Sequence, residues 1–172
     1  VYVGDRSHIE DASVISPEFF HSTNWFSQVR QDLIVATLFR FKKDGYFVDL
    51  AANDAIKISN TYALEAHYDW TGLAIEPNNL YWSGLAYRKC HVVGAVVGTG
   101  AEQRFAFPKR KPPQGGLIGP EFDNHKVDSD QVQRRSTIPI RDIFTRFQTP
   151  QIIDYMSLDV EGAEYFIMQD FP

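Results

Sequence analysis

The chain has 172 residues, a length that suits one domain, and 44% hydrophobic residues supply enough material for a core. A net charge of −5 and a pI near 5.5 exclude the broad basic face of a non-specific nucleic-acid binder. The single cysteine, Cys90, excludes an internal disulfide framework and a cysteine-rich zinc site, and no apolar run nears the ~20 residues of a membrane span.

Residues 1–26 mix polar and aromatic side chains without period and read as an N-terminal arm, with residues 27–172 as one domain. Between Ser27 and Lys43, Leu33, Ile34, Thr37, Leu38 and Phe41 recur at helical spacing, and Asp44-Gly45 supplies the stop. Tyr46 to Ala51 reads as the first strand. Asn60 is placed to cap the helix that follows, and Leu73 to Glu76 is the second strand. A helix after Pro77 runs to about Arg88, and Cys90 to Val97 is a third strand whose continuous apolar run suits a parallel sheet covered on both faces.

Gln103 to Phe107 and Arg135 to Ile138 are short strand candidates, separated by a loop from Pro108 to about Asp130. Ile140 to Phe147 reads as a helix, Ile152 to Asp159 as a fourth strand, and Gly162 to Asp170 as the helix after it. Strands alternating with helices through long connections predict an α/β fold with a parallel sheet.

Two acids stand out in that frame. Asp49 closes the first strand and Glu76 the second, which puts both at the carboxyl edge where open α/β sheets bind ligands. A carboxylate there suits the two hydroxyls of a ribose, since it accepts both bonds and leaves neither donor unpaired. The alternative for Glu76 is a helix N-terminal charge beside Pro77. The turn Ala51-Ala-Asn53-Asp54-Ala55 lacks the Gly-x-Gly-x-x-Gly fingerprint of a nicotinamide site, which leaves an oxidoreductase a weak third reading. Its small and polar residues suit an amino acid-like moiety, or merely an ordinary turn.

The fourth strand ends in Asp159, Glu161 and Glu164. The three carboxylates could supply a general base or the oxygen ligands of a divalent cation. Asp159 is the preferred general base; Glu161 and Glu164 read first as helix N-terminal acids. Lys109-Arg-Lys111 reads as a solvated loop, with a clamp for phosphate or an acidic partner as the alternative. His8, His21, His67, His91 and His125 show no metal-pair spacing, and no metal ligand is assigned; His125, in the long loop, reads as a surface histidine, with a substrate base as the alternative.

Gly45-Tyr-Phe-Val-Asp49, Asn53-Asp54, Ser59-Asn-Thr61, Trp70-Thr-Gly-Leu73, Ile75-Glu-Pro-Asn78, Arg88-Lys-Cys90 and Ile153-Asp-Tyr-Met-Ser-Leu-Asp-Val-Glu-Gly-Ala-Glu164, in this order, resemble the FkbM family of methyltransferases from about Ser27 onward. The resemblance implies a three-layer, Rossmann-like class I methyltransferase sheet that lacks its C-terminal strands here. It implies S-adenosylmethionine as cofactor and O-methylation of a small molecule or glycan. Carried onto this chain, it gives Asp49, Ala51, Asn53 and Asp54 to the methionine part. Glu76, Pro77 and Asn78 fall to the ribose, Ala95 to the adenine, and Asp159 to the transfer site.

This chain departs from the family loop, which reads Asp-h-Gly-Ala-x-Asp-Gly (h apolar, x variable), at Ala51 and Ala55. Those two alanines and the aromatic arm (Phe19, Phe20, Trp25, Phe26) motivate the alternative of an inactive methyltransferase-like subunit docked to a protein partner. Nothing in the residues assigns a compartment, and the default expectation is cytoplasmic.

Overall fold

The computed structural model describes residues 24–107, 115–124, 132–169 and 171–172. The elements run α1 (Gln31–Leu38), β1 (Tyr46–Leu50), α2 (Tyr62–Tyr68), β2 (Thr71–Ile75), α3 (Trp82–Leu85), β3 (His91–Val93), β4 (Val96–Val97) and β5 (Glu102–Ala106). They continue with β6 (Gly116–Leu117), β7 (Val132–Ile138), α4 (Ile140–Arg146), β8 (Tyr155–Leu158) and α5 (Glu164–Met168).

The fold is mixed α/β. One four-stranded sheet has the order β3-β2-β1-β8, with every neighbouring pair parallel. The chain therefore builds outward from β1 to β3, then returns to lay β8 on the other side of β1. That reversal opens a crevice at the carboxyl ends of the strands. Register fixes the neighbours at this edge. Leu50 pairs with both Ile75 and Leu158, so Ala51, Glu76 and Asp159 each leave their strands at the same edge.

The sheet separates two cores because side chains alternate along each strand. Phe47 and Ala74 pack under α1 and α2 with Leu64, Tyr68 and Trp70. Val48, Leu50, Leu73 and Ile75 face the other way and join Ile140, Ile143, Phe144 and Ile167. Burying each of the Val, Leu, Ile and Phe side chains among them contributes about 1.5–3 kcal/mol. Among the described residues no helix is long and apolar enough to cross a membrane.

Several expected elements change. The first helix is shorter than Ser27–Lys43, because Asp32 turns back to accept the N–H groups of Phe26 and Ser27 and holds the chain in a turn ahead of Gln31. After Leu38, Arg40 and Phe41 adopt positive φ and end the helix. Asn60 does not cap α2. Its Nδ2 donates to Ser157 Oγ, and Ser59 Oγ accepts the Tyr62 N–H instead. The run Cys90 to Val97 is not one strand. Gly94 and Ala95 break it, and β4 leaves for a second sheet of order β4-β7-β5-β6.

That second sheet was only partly anticipated. β5 and β7 pair antiparallel over five residues, and β4 joins β7 in parallel. β6 falls inside the segment expected to be loop; the remainder of that segment at 108–114 and 125–131, with Lys109–Lys111 and His125, lies outside the described residues. So does the arm up to residue 23. Trp25 and Phe26 pack on the domain itself, Trp25 stacked with Tyr68 and Phe26 edge-on to Tyr62.

Candidate functional site

A cleft with about 590 Å³ of non-protein space, its solvent-open side included, lies between the carboxyl edge of the parallel sheet and the second sheet. Its polar wall is made by Asn53, Glu76, Pro77, Asn78 and Tyr81, together with the backbone at Ala51. Leu50, Ile75, Ala95, Val96 and Val97 form its floor. Phe105, Phe107 and Leu117 of the second sheet face them, and Val160, Ala163 and Ile167 close the end beyond β8.

Glu76 is the buried acid of this cleft. Its Oε2 accepts the Asn53 N–H at 2.8 Å and its Oε1 the Asn78 N–H at 2.7 Å. Each oxygen keeps a second lone pair, so the carboxylate can accept two further donors side by side. Burial pushes its pKa above the ordinary value; the two N–H bonds oppose that shift, and Asp49 adds to it. Trp82 reinforces the position by donating its indole N–H to the Glu76 carbonyl at 2.8 Å. A Cβ at Gly94 would run into that indole, which is why the chain needs glycine there.

Asp49 behaves differently. It points to the α2 side of the sheet and stands outside the cleft lining. Its Oδ2 accepts from Thr61 Oγ1 at 2.7 Å, and Thr61 Oγ1 in turn accepts from Arg88 Nη2 at 3.1 Å. Arg88 also meets Glu65 at 3.3 Å, with both side chains almost fully buried. Its guanidinium lies 5.4 Å from the Phe47 ring centroid. Burial raises the Asp49 pKa, against the pull of Thr61, Arg88 and Ser157. The acid thus anchors the loop from beneath.

The expected convergence of Asp49 and Glu76 on one surface is therefore not direct. They occupy neighbouring strands at one edge, but on opposite faces, because Asp49 shares the parity of Phe47 whereas Glu76 follows Ile75 out of the strand and turns into the cleft. Of the other residues singled out in the sequence, Ala51, Asn53, Pro77, Asn78 and Ala95 line the cleft, whereas Asp54 and Asp159 do not. Asp54 instead accepts the N–H groups of Ile56 and Lys57 and shapes the turn. Asp159 is exposed at the end of β8.

Ala51 adopts φ 57°, while Ala55 is not among the positive-φ residues. Left-handed backbone at an alanine costs about 1–2 kcal/mol, so only one of the two alanines is strained. Glu161 is also left-handed, at φ 53°. Burial and the nearby carboxylates of Asp159, Asp123 and Glu164 push its pKa up. Glu164 sits in the first turn of α5 and accepts the Val160 N–H. Among the described residues no three His, Cys, Asp or Glu side chains are grouped as a metal ion would require.

Sequence reasoning missed Tyr81, Phe105, Phe107 and Leu117 in the wall, and Thr61 and Arg88 under the loop. The alternation of Phe105 and Phe107 was a usable signal for a one-sided strand.

No curated protein and no solved structure matched the chain. The family model described as Methyltransferase FkbM domain matches residues 49–170, from Asp49 in β1 to two residues past α5, and that family generally uses S-adenosylmethionine. The chain belongs to the FkbM methyltransferase family.

Proposed function

We propose that the chain binds S-adenosylmethionine in this cleft, on a Rossmann-like class I methyltransferase fold, and methylates a hydroxyl oxygen of a small molecule or glycan. The observation that carries the reading is the Glu76 carboxylate, buried at the end of β2 with two lone pairs left after holding Asn53 and Asn78. The sheet order β3-β2-β1-β8, with its reversal at β1, supports the fold assignment.

The residues present fit the cofactor. S-adenosylmethionine, when bound, supplies an electrophilic methyl group on a sulfonium sulfur. Glu76 would accept both ribose hydroxyls. The apolar pair Val96 and Val97, with Ala95 and Phe105, would cover the adenine and exclude water. Ala51 and Asn53 would present the loop backbone to the methionine part, and Asp54 and Asp49 would hold that loop in shape. Asp159, the residue after the Leu158 partner of Leu50, is the proposed base that takes the proton from the acceptor oxygen. Positioning supplies most of the acceleration in such an in-line displacement.

Isothermal titration of the full-length protein with S-adenosylmethionine tests this. Saturable binding that weakens in Glu76→Ala is expected; no heat at millimolar cofactor sinks the catalytic reading.

A second reading is a catalytically inactive methyltransferase-like subunit of a larger assembly. The strained Ala51, where the family loop has glycine, favours it. A free monomer that carries cofactor on size exclusion overturns that alternative.

A further inference from the structure

Phe107 forms part of the cleft wall, and the guanidinium of Arg135 lies over its ring, 5.2 Å from the centroid. Phe105, also in the wall, packs 4.7 Å from Phe107, centroid to centroid. Arg135 is exposed, and among the described residues no hydrogen bond or ion pair engages its guanidinium.

The pairing of β5 with β7 explains why it has no acid partner. Arg135 pairs with Gln103, and Gln133 with Phe105, so this face of the ribbon carries amides, rings, Thr137 and the one arginine, and no acid. The opposite face takes Glu102, Arg104, Arg134 and Ser136, and the acid is used there, 3.8 Å from Arg134. A guanidinium stacked on an aromatic ring keeps its planar N–H edge available for two parallel bonds to an oxyanion. The ring beneath restricts its rotamers, which lowers the entropy lost on binding.

We propose that Arg135, seated on Phe107, is an anion-binding subsite for the methyl acceptor. The acceptor it fits carries a carboxylate or phosphate on an apolar or aromatic body. The body lies along Phe105 and Phe107, and the oxyanion meets the guanidinium at the mouth. This rests on the reading of the cleft as a methyl-transfer site. It narrows the acceptor from any hydroxyl compound to an anionic one, and it makes Arg135 a specificity residue separate from the ribose-binding Glu76.

The test uses the full-length protein, with and without saturating S-adenosylhomocysteine. Phenyl phosphate, benzoate and neutral benzyl alcohol are titrated into the wild type, Arg135→Gln and Arg134→Gln. At least one anionic probe is expected to bind wild type about tenfold or more tighter than benzyl alcohol. That advantage is expected to vanish in Arg135→Gln and persist in Arg134→Gln. The tighter of the two anions identifies phosphate or carboxylate as the recognised group. No saturable binding of either anion, equal affinity in Arg135→Gln, or an equal loss in Arg134→Gln overturns the proposal. So does a loss of S-adenosylhomocysteine affinity in Arg135→Gln, which would assign the arginine to the cofactor. If the anionic probe binds and S-adenosylhomocysteine does not, the oxyanion site stands and the methyl-transfer reading falls.

Discussion

The Oε2 atom of Glu76 accepts the backbone N–H of Asn53 at 2.8 Å, across 23 residues of sequence. One carboxylate thereby holds the loop after β1 against the end of β2, in the wall of the cleft. Replacing Glu76 with Gln removes the charge and sets an NH₂ group against one of the two N–H donors. Cofactor affinity is expected to fall at least tenfold, about 1.4 kcal/mol, by titration calorimetry. Unchanged affinity would show that the ribose lies elsewhere.

The same residue predicts a pH dependence. Glu76 is held above its ordinary value of 4.5 by burial. As pH falls it gains a proton earlier than an ordinary glutamate would, and a neutral carboxyl has fewer acceptor sites. Cofactor affinity is expected to decline with falling pH, with a midpoint above 4.5, and this titration should be missing in Glu76→Gln. Stability moves the other way. The folded state binds this proton more tightly than the unfolded one, so the contribution is full below the unfolded pKa and lost as pH rises through the folded pKa. Denaturant midpoints measured across that window check the sign.

Ala51 at φ 57° is a site where glycine removes strain. Ala51→Gly is expected to raise stability by about 0.5–1 kcal/mol, the relief of left-handed backbone being partly offset by greater freedom in the unfolded chain. Urea unfolding measures this. A loss of stability would mean that the methyl group packs better than the backbone suffers.

Arg88 and Glu65 form a buried pair at 3.3 Å that also holds Thr61 and, through it, Asp49. Arg88→Ala leaves Glu65 buried without its partner and is expected to cost about 3–5 kcal/mol, whereas Arg88→Met with Glu65→Leu should recover much of it. Equal losses in the single and double variants would refute the coupling.

Cys90 is buried, and burial pushes its thiol pKa up to about 12. At pH 8 the native protein should resist iodoacetamide for hours while the urea-unfolded chain reacts within minutes (roughly, from the thiolate fraction). Mass spectrometry of the two samples decides it.

Much of the frame was legible before any coordinates. Tyr46–Leu50, Leu73–Ile75 and Tyr155–Leu158 are apolar runs bounded by turns, with an acid at or just past their carboxyl ends, and such runs announce buried parallel strands. The edge position of Asp49, Glu76 and Asp159 follows from that local pattern, because strand polarity sets which end faces the ligand.

What each acid faces was decided only by tertiary packing. Asp49 and Glu76 differ by the side of the sheet they enter, and that depends on which helices cover each face. Thr61 and Arg88 reach Asp49 from 12 and 39 residues away, contacts that no local period encodes. The break at Gly94 and the pairing of β5 with β7 are equally non-local. Alternation along a strand fixes which residues share a face. Only the packed chain determines whether that face meets a helix, a second sheet or a ligand.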